Sequence, residues 1–383
     1  MTGGVLFYVQ HLLGIGHVKR AAAIVRAMTA AGQPVTVVLG GPDVPGISFG
    51  AAEVLRLPAA TAADESFGRL VDETGRDIDD AWRATRRERL LGIFTSRRPD
   101  VLLIELFPFG RRQFRFELLP LLEAAHARRP RPLIASSVRD ILVRKPRAER
   151  NREMVETARK WFDLVLVHGD PGLIPLEASL PEAASIADLI RYTGYVVDKQ
   201  REAASDGAGN GEVIVSAGGG AVGAPLLHAA LTARDRCRAA RLPWRLITGP
   251  NMPEAEYRKL SVTAPTGVFV ERMRPDLPRM LAGCALSISQ GGYNTVMDIL
   301  RSRARAIIVP FAAGNESEQT LRAQLLQQKN LIWMVEAAEL SPDRLGRAVD
   351  DALAGRPAEV SGINLSGAEG TARILGSLGV TAR

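Results

Sequence analysis

The stretch FYVQHLLGIGHVKRAAAIV, residues 7–25, decides the fold. An apolar run stops in a short loop that contains Gly14, Gly16 and His17, and an alanine-rich helical pattern follows at once and ends at Gly32. A strand, a glycine turn and a helix in this order are typical of a parallel α/β sheet. Such a turn exposes the first N–H groups of the helix, and together with the helix dipole they favour an anion.

The same order of elements returns in the second half of the chain. Residues 213–227 read VIVSAGGGAVGAPLL, and a linker of small and polar residues at 196–212 precedes them. Short apolar runs alternate with helical patterns throughout, as in βαβ units. We therefore predict an α/β protein of two Rossmann-like domains with mostly parallel sheets, residues 1–198 and 199–383, with ligands at the carboxyl ends of the strands. The last helix is a candidate to pack back on the first domain.

Composition limits the class of protein. The 383 residues are 46% hydrophobic, and no apolar run is long enough to span a membrane. No secretory signal pattern precedes the first strand. Cys237 and Cys284 are too few for a disulfide framework and lack metal-site spacing. We therefore expect a cytoplasmic protein.

Positive charge is concentrated in one part of the chain, whose net charge is +7. Residues 83–160 carry twenty bases against nine acids, whereas residues 43–80 carry nine acids against three bases. Such a segment is typical of a surface that meets nucleic acid, an anionic bilayer or a phosphorylated substrate, and a solvated surface is the alternative. RNA-binding surfaces interleave aromatic and basic side chains, and residues 139–160 contain no aromatic residue, which disfavours nucleic acid.

The most informative stretch is residues 268–326. There an apolar run at 285–289 leads into QGGYNT, a second glycine turn within the same domain. Two glycine turns that aim helix N-termini at one crevice predict a diphosphate site. Neither turn is a P-loop or a dinucleotide fingerprint, which disfavours ATP hydrolysis.

On these residues the chain resembles the GT-B glycosyltransferases, and within them the MurG-type UDP-N-acetylglucosamine transferases of family 28, which glycosylate a lipid-linked diphosphate acceptor. The resemblance rests on the glycine loop after residue 216, FVERM at 269–273, SQGGYNTVMD at 289–298, and VPF with NESEQ at 309–319, in family order and spacing. It implies a GT-B fold, in which two Rossmann-like domains face a central cleft.

The resemblance also implies the donor residues. The main chain of Val270 would contact uracil, Asp298 would bind the ribose, and Glu318 with Gln319 would reach the sugar hydroxyls. The implied donor set is Gly14, Gly16, Gly218, Gly219, Gly220, Val270, Met273, Gln290, Gly291, Gly292, Asn294, Thr295, Asp298, Glu318 and Gln319. A carboxylate suits a ribose because it accepts both hydroxyl protons while lying one helical turn from the phosphates.

On the acceptor side, the resemblance makes His17 a candidate general base, since imidazole titrates near neutrality. The alternative is that His17 donates to a loop carbonyl at the helix N-terminus, and His11 is interpreted as structural. Asp140 is a second candidate base, with helix capping as its alternative, and Arg139 is a candidate ligand for an acceptor phosphate.

An inverting transferase of this fold needs no metal when helix dipoles and N–H groups stabilise the departing nucleotide. The sequence has no D-x-D motif in a suitable turn and no clustered histidines. We therefore predict a metal-independent inverting glycosyltransferase that moves N-acetylglucosamine or another hexose from a UDP-sugar to an acceptor hydroxyl, without a cofactor.

A lipid-linked or cell-envelope acceptor is implied by the resemblance, and the basic segment then fits peripheral binding to the anionic inner face of the membrane. Two alternatives stay open. One is a UDP-N-acetylglucosamine 2-epimerase-like isomerase, although its Gly-Thr-Arg-Pro-Glu motif is absent. The other is a non-enzymatic protein that binds nucleotide or nucleic acid.

Overall fold

The computed structural model describes residues 3–12, 14–63, 68–143, 148–198, 206–218, 223–312, 317–356 and 358–378. The chain divides into two compact units. Residues 1–198 and 364–383 form the first unit, and residues 199–363 form the second. Each unit is built on a parallel sheet, as the predicted α/β class requires. Within the described ranges, no helix combines the length and the apolar character needed to cross a membrane.

The first unit contains a seven-stranded parallel sheet and one antiparallel pair. Its strands are β1 (Val5–Val9), β2 (Val35–Leu39), β3 (Glu53–Arg56), β4 (Thr61–Ala62), β5 (Leu70–Val71), β6 (Val101–Glu105), β7 (Leu133–Arg139), β8 (Leu164–His168) and β9 (Ile190–Tyr192). The sheet order is β3-β2-β1-β6-β7-β8-β9, and β4 pairs with β5. The helices before the second unit are α1 (Gly16–Ala30), α2 (Asp80–Arg97), α3 (Arg115–Ala127) and α4 (Ala148–Trp161).

The second unit contains a six-stranded parallel sheet. Its strands are β10 (Val213–Ser216), β11 (Trp244–Ile247), β12 (Val268–Glu271), β13 (Leu286–Ser289), β14 (Ala306–Ile308) and β15 (Trp333–Met334), in the order β12-β11-β10-β13-β14-β15. Its helices are α5 (Ala224–Ala233), α6 (Glu254–Thr263), α7 (Leu277–Gly283), α8 (Tyr293–Ser302), α9 (Glu318–Gln328) and α10 (Pro342–Ala354). A final helix, α11 (Gly367–Ser377), belongs to the first unit and packs against α1.

The first strand shows why the strands of this sheet have continuously apolar sequences. Val5, Phe7 and Val9 pack in the cluster that includes residues of α1 and α11. Leu6 and Tyr8 pack on the other face with residues of α2 and α3. Because helices cover both faces, the strand lacks the polar alternation of a half-exposed sheet.

Strand β7 is longer than its apolar core predicts. The sequence pattern predicts a strand over residues 133–135, whereas the strand continues to Arg139. The extension is held by neighbours on both sides, because Ser137 pairs with Glu105 of β6 and Arg139 pairs with His168 of β8. The extension makes Arg139 a strand residue and Asp140 the first residue beyond the strand.

Each sheet has one point at which the strand order reverses. In the first unit β1 lies between β2 and β6, and in the second β10 lies between β11 and β13. At such a point the connections on either side leave in opposite directions and open a crevice at the carboxyl ends of the strands. The loops after β1 and β6, and those after β10 and β13, therefore mark where ligands are expected.

Candidate active site

A histidine and a glutamate meet where the strand order of the first sheet reverses. His17 is the second residue of α1, and Glu105 is the last residue of β6. Nδ1 of His17 lies 2.6 Å from Oε1 of Glu105. The sequence pattern did not identify Glu105 as a site residue, although a single charged residue ends the apolar run VLLIE.

Two arginines surround this carboxylate. Nη2 of Arg20, one turn further along α1, donates to Oε1 of Glu105 at 2.7 Å. Nη2 of Arg111 lies 3.9 Å from the other oxygen, Oε2. The side chains of Arg20 and Glu105 are 3% and 1% exposed. A carboxylate this deeply buried requires opposite charge nearby, and both arginines provide it.

The same charges set the protonation states of the pair. Burial favours the protonated form of Glu105, but the hydrogen bond and charge of His17 and the charges of Arg111 and Arg20 outweigh it and lower the pKa to about 2. Burial lowers the pKa of His17 to about 4, with Glu105 opposing this shift and Arg111 adding to it. Near neutral pH, His17 is therefore a neutral imidazole that donates from Nδ1 to an ionised Glu105.

In this tautomer the second ring nitrogen of His17, Nε2, is the one that can accept a proton. Nε2 has no hydrogen-bond partner among the residues that the structure describes, and the side chain is 17% exposed. Gly14 precedes it in the loop, and a Cβ on Gly14 would meet no described atom within 4 Å. Gly16 is the first residue of α1. The open side of the imidazole is thus available to a substrate proton.

Asp140, the second candidate base, lies in a different setting. Its side chain is fully buried, and Oδ1 accepts a hydrogen bond of 2.9 Å from the backbone N–H of Ile141. This bond holds the turn after β7, whereas the helix that follows begins only at Ala148, eight residues beyond Asp140. Arg139 is half-buried at the end of the same strand. The catalytic role of Asp140 and the acceptor role of Arg139 remain predictions.

The other two histidines near this edge of the sheet differ from each other. His168 is fully buried and bonds through both ring nitrogens, to Oγ of Ser137 at 2.7 Å and to Oγ1 of Thr193 at 2.9 Å. It therefore ties neighbouring strands together. His11 is 4% exposed, and its Nδ1 has no hydrogen-bond partner among the described residues. The absence of Cβ on Gly41 lets the ring lie against the backbone there.

In the second unit the two glycine turns leave the sheet side by side. Ser216 of β10 pairs directly with Ser289 of β13, and each turn begins within two residues of that pair. Gly218 has φ +69°, a left-handed conformation that favours glycine. A Cβ at Gly218 would lie 3.8 Å from Oε1 of Gln290, so the two predicted donor turns are neighbours.

Both helices that follow these turns begin without a capping side chain. The N-caps are Gly223 for α5 and Gly292 for α8, and neither first turn contains an acidic residue. Free N–H groups and the positive end of the helix dipole then favour an anion. Asn294 and Thr295 lie in the first turn of α8 and Asp298 one turn further, all three half-buried.

Helix α9 braces the second glycine turn. Oε1 of Gln319 accepts hydrogen bonds from the backbone N–H groups of Gly291 at 2.9 Å and Phe311 at 3.1 Å. Arg322 is fully buried and donates to the carbonyl of Gly291 at 3.1 Å and to Glu318 at 2.8 Å. Sequence reasoning missed Arg322, whose signal is its i,i+4 spacing from Glu318. That Glu318 and Gln319 reach the sugar remains a prediction.

The remaining predicted donor residues lie in β12, just after it, or outside the described residues. The carbonyl of Val270 accepts a hydrogen bond of 3.4 Å from the Tyr257 hydroxyl, and Met273 is 65% exposed. Gly219 and Gly220 lie outside the described residues. Within the described ranges, no group of three or more histidine, cysteine, aspartate or glutamate side chains is arranged to hold a metal ion.

Part of the chain is similar to known sequences. Residues 214–368 match the family model for the glycosyltransferase family 28 C-terminal domain. The UDP-N-acetylglucosamine–N-acetylmuramyl-(pentapeptide) pyrophosphoryl-undecaprenol N-acetylglucosamine transferase of Brucella anthropi is 31% identical over 135 residues, which are 34% of this chain and 33% of that protein. The chain is therefore matched over about a third of the length of this relative.

Solved structures resemble the chain over nearly its full length. MurG of Acinetobacter baumannii has a TM-score of 0.60 and 13% identity, covering 98% of this chain and 99% of that one. The glycosyltransferase VinC, in complex with dTDP, has a TM-score of 0.63 and 13% identity, covering 97% and 94%. At this identity the likeness establishes the fold. The predicted GT-B fold and the predicted resemblance to MurG-type family 28 proteins are both confirmed.

Proposed function

We propose that this protein, whose residues 214–368 match the glycosyltransferase family 28 C-terminal domain, is an inverting glycosyltransferase. It moves N-acetylglucosamine or another hexose from a UDP-sugar to an acceptor hydroxyl. The observation that carries the proposal is the pair formed by His17 and Glu105, with 2.6 Å between Nδ1 and Oε1 and an Nε2 that makes no hydrogen bond to a described residue. A base held in one tautomer by a buried carboxylate is suited to activating a hydroxyl nucleophile.

In the proposed reaction, Nε2 of His17 accepts the proton of the acceptor hydroxyl as the oxygen attacks the anomeric carbon. The bond from that carbon to the diphosphate oxygen breaks, and UDP leaves with the bonding electrons. Glu105 stabilises the imidazolium that forms, through its hydrogen bond to Nδ1. A single displacement of this kind inverts the configuration at the anomeric carbon, so an α-linked donor gives a β-linked product.

The donor diphosphate is assigned to the two adjacent glycine turns of the second unit. The uncapped N-termini of α5 and α8 support this assignment, because their N–H groups and dipoles stabilise negative charge as it develops on the leaving group. We accordingly infer that no metal is needed. Transfer that persists at full rate in EDTA would support this inference, and loss of transfer restored by Mg²⁺ would contradict it.

We also propose an acceptor that is lipid-linked or part of a cell-envelope glycan, used by a cytoplasmic enzyme bound peripherally to the membrane. The support is the excess of basic residues at 83–160, twenty against nine acids. Arg144, Lys145 and Arg147 lie in this segment but outside the described residues. Replacing all three with glutamate should release the protein from vesicles that contain anionic lipid. Unchanged vesicle binding would exclude this role.

The central experiment is a panel of UDP, dTDP, GDP and their sugars. The thermal midpoint should rise with the preferred nucleotide, because a ligand that binds only the native state stabilises it. UDP compounds should give the largest rise. His17→Ala should then reduce transfer by about 10²–10⁴-fold and leave the thermal shift with UDP unchanged. The transfer rate of Asp140→Asn in the same assay shows which of the two candidate bases the reaction depends on.

The outcome of the same panel also tests the alternatives. Conversion of UDP-N-acetylglucosamine to its 2-epimer, without an acceptor product, would identify an isomerase. Nucleotide binding without any turnover would identify a binding protein. A transfer rate of His17→Ala equal to that of the parent would exclude His17 as the catalytic base.

A further inference from the structure

A cavity of about 160 Å³ opens in the first unit, beside the loop that carries His17. It lies at the carboxyl ends of β1 and β2, under the segment that joins β2 to β3. Its apolar lining includes Val18, Leu39, Val44, Ile47, Phe49 and Val54. Val18 directly follows His17 on α1, so the residue next to the candidate base in sequence lines the cavity.

The lining suits an uncharged occupant. Val18, Leu39 and Phe49 are buried, at 2%, 5% and 7% exposure. The two charged residues at the cavity, Asp43 and Arg56, are paired at its rim by a hydrogen bond of 2.6 Å between Oδ1 and Nη2, and their side chains are 75% and 48% exposed. The buried part of the wall is apolar, so a charged group placed against it would lose hydration without gaining a counter-charge.

One polar atom of the cavity wall has no hydrogen-bond partner among the described residues. It is Nδ1 of His11, a residue that lines the cavity and is 4% exposed. Burial, with the charge of Arg111 adding to it, lowers the pKa of His11 to about 4, so the ring is neutral near pH 7. A buried polar group without a partner is unfavourable, and a ligand that forms a hydrogen bond to it removes part of that cost.

We propose that this cavity binds the apolar part of the acceptor, a compact uncharged group of phenyl or branched-alkyl size that offers one hydrogen-bonding atom to His11. The volume supports this size, because an apolar cavity of about 150 Å³ binds benzene. The proposal rests on the proposed transferase function for the identity of the ligand as an acceptor. The existence of the binding site does not depend on that function.

The binding test uses phenol as the probe and methyl NMR of the full chain as the readout. Phenol should shift the methyl signals of the cavity lining, and benzoate should bind at least about tenfold more weakly because its charge must be desolvated. Val54→Trp should fill the cavity and abolish the shifts, since Val54 is 37% exposed on an edge strand that tolerates a larger side chain. Val262→Trp is the matched control, at a position 80% exposed in the second unit.

Binding at other methyl groups, or unchanged phenol binding by Val54→Trp, would overturn the proposed site. His11→Phe separates the two parts of the proposal. This change should weaken the binding of phenol more than the binding of benzene. Equal effects on the two affinities would show that the ligand forms no hydrogen bond to His11.

A transfer assay connects the site to the acceptor. With UDP-sugar present, 2-phenylethanol should be a better acceptor than ethanol, and Val54→Trp should remove that preference while Val262→Trp keeps it. Phenol binding at the cavity without transfer to any alcohol would contradict the transferase function and the acceptor role but leave the binding site. Transfer without phenol binding at the cavity would contradict the cavity proposal alone.

Discussion

Nδ1 of His17 donates a hydrogen bond of 2.6 Å to Oε1 of Glu105, a residue 88 positions further along the chain. The bond joins the helix after β1 to the end of β6, the two elements that flank the point where strand order reverses. It leaves one nitrogen of a neutral imidazole free and keeps a counter-ion ready for the imidazolium form. A base that must accept a proton during a displacement requires both properties.

The first prediction concerns that counter-ion. Glu105→Gln keeps the size of the side chain but removes the charge that stabilises protonated His17, so transfer should fall by about 10²–10⁴-fold. UDP affinity should not change, because the glycine turns proposed to hold the diphosphate belong to the second unit. Steady-state kinetics and UDP titration measure the two effects.

A matched control for this change is Glu153→Gln. Glu153 forms an ion pair of 2.6 Å with Arg115 but is 38% exposed, and exposed pairs contribute little. Its activity should equal that of the parent. Equal transfer by Glu105→Gln and the parent would show that Glu105 does not assist a catalytic base.

The second prediction is the pH profile. Because burial lowers the pKa of His17 from 6.5 to about 4, transfer should stay nearly constant from pH 8 to about pH 5 and fall only as His17 becomes protonated near pH 4. An ordinary histidine base would lose activity below pH 6.5. Initial rates of kcat/KM across this range provide the measurement.

The stability of the folded protein should also fall as the pH falls, so the pH profile needs a control for unfolding. A histidine with a lowered folded pKa binds protons more readily when unfolded, so its contribution to stability is lost as the pH falls from 6.5 through 4. Protein held at each pH and assayed at pH 7 separates irreversible unfolding from titration of the base. A rate that drops near pH 6.5 in intact protein would contradict the assigned pKa.

The third prediction separates packing from ligand contact in the second glycine turn. A Cβ at Gly291 would lie 3.1 Å from Cγ2 of Ile308 and 3.2 Å from the carbonyl of Gln319, so Gly291→Ala should lower stability by about 1–3 kcal/mol. A Cβ at Gly292 would meet only Oγ1 of Thr295, at 4.0 Å. Gly292→Ala should therefore cost under about 1 kcal/mol yet weaken UDP binding about tenfold, because the methyl group occupies the approach to the helix N–H groups.

Thermal denaturation and UDP titration of both variants measure these effects. Parent-like UDP affinity in Gly292→Ala would place the diphosphate elsewhere. Parent-like stability in Gly291→Ala would show that the turn relaxes around the added methyl group.

The fourth prediction concerns the buried network beneath the first strand. Arg86 is fully buried and donates to Glu117 at 2.7 Å and 3.0 Å and to Gln10 at 2.5 Å. Gln10 directly follows β1, at the start of the loop that precedes His17. Arg86→Met leaves the Glu117 carboxylate buried without its arginine counter-charge, with the Tyr8 hydroxyl still donating to it, and should cost about 3–5 kcal/mol in unfolding free energy.

Arg83→Met is the control for that substitution. Arg83 lies on the same helix and pairs with Asp80, but the carboxylate of Asp80 is 98% exposed. The change in its unfolding free energy should stay within about 0.5 kcal/mol. Denaturant unfolding followed by circular dichroism measures both, and equal stability of the two variants would exclude a structural role for the buried pair.

Much of the fold followed from local patterns. The apolar runs and the glycine turns that follow them predicted β1 with α1, β10 with α5 and β13 with α8, because a buried parallel strand and the start of a helix each have their own sequence signal. The predicted ends of the strands were less accurate. The polar residues Ser136 and Ser137 conceal the continuation of β7, since their place in the strand depends on the neighbouring strands that pair with them.

The candidate site was predictable only in part. His17 stood out because it follows a glycine turn, whereas Glu105 and Arg20 did not, since a charged residue at a strand end or in a helix has many structural uses. Arg322 was missed for the same reason, and the bonds from Gln319 to the turn of Gly291 cannot be read from their spacing.

The sequence by itself determined the α/β class, the repeated strand, glycine turn and helix, and the family signature in the second half of the chain, because each depends on neighbours within one turn or strand. Only the tertiary structure decided that β1 lies beside β6, and therefore that His17 meets Glu105. The order of strands in a sheet follows from the packing of whole helices on both faces, and no local pattern records it.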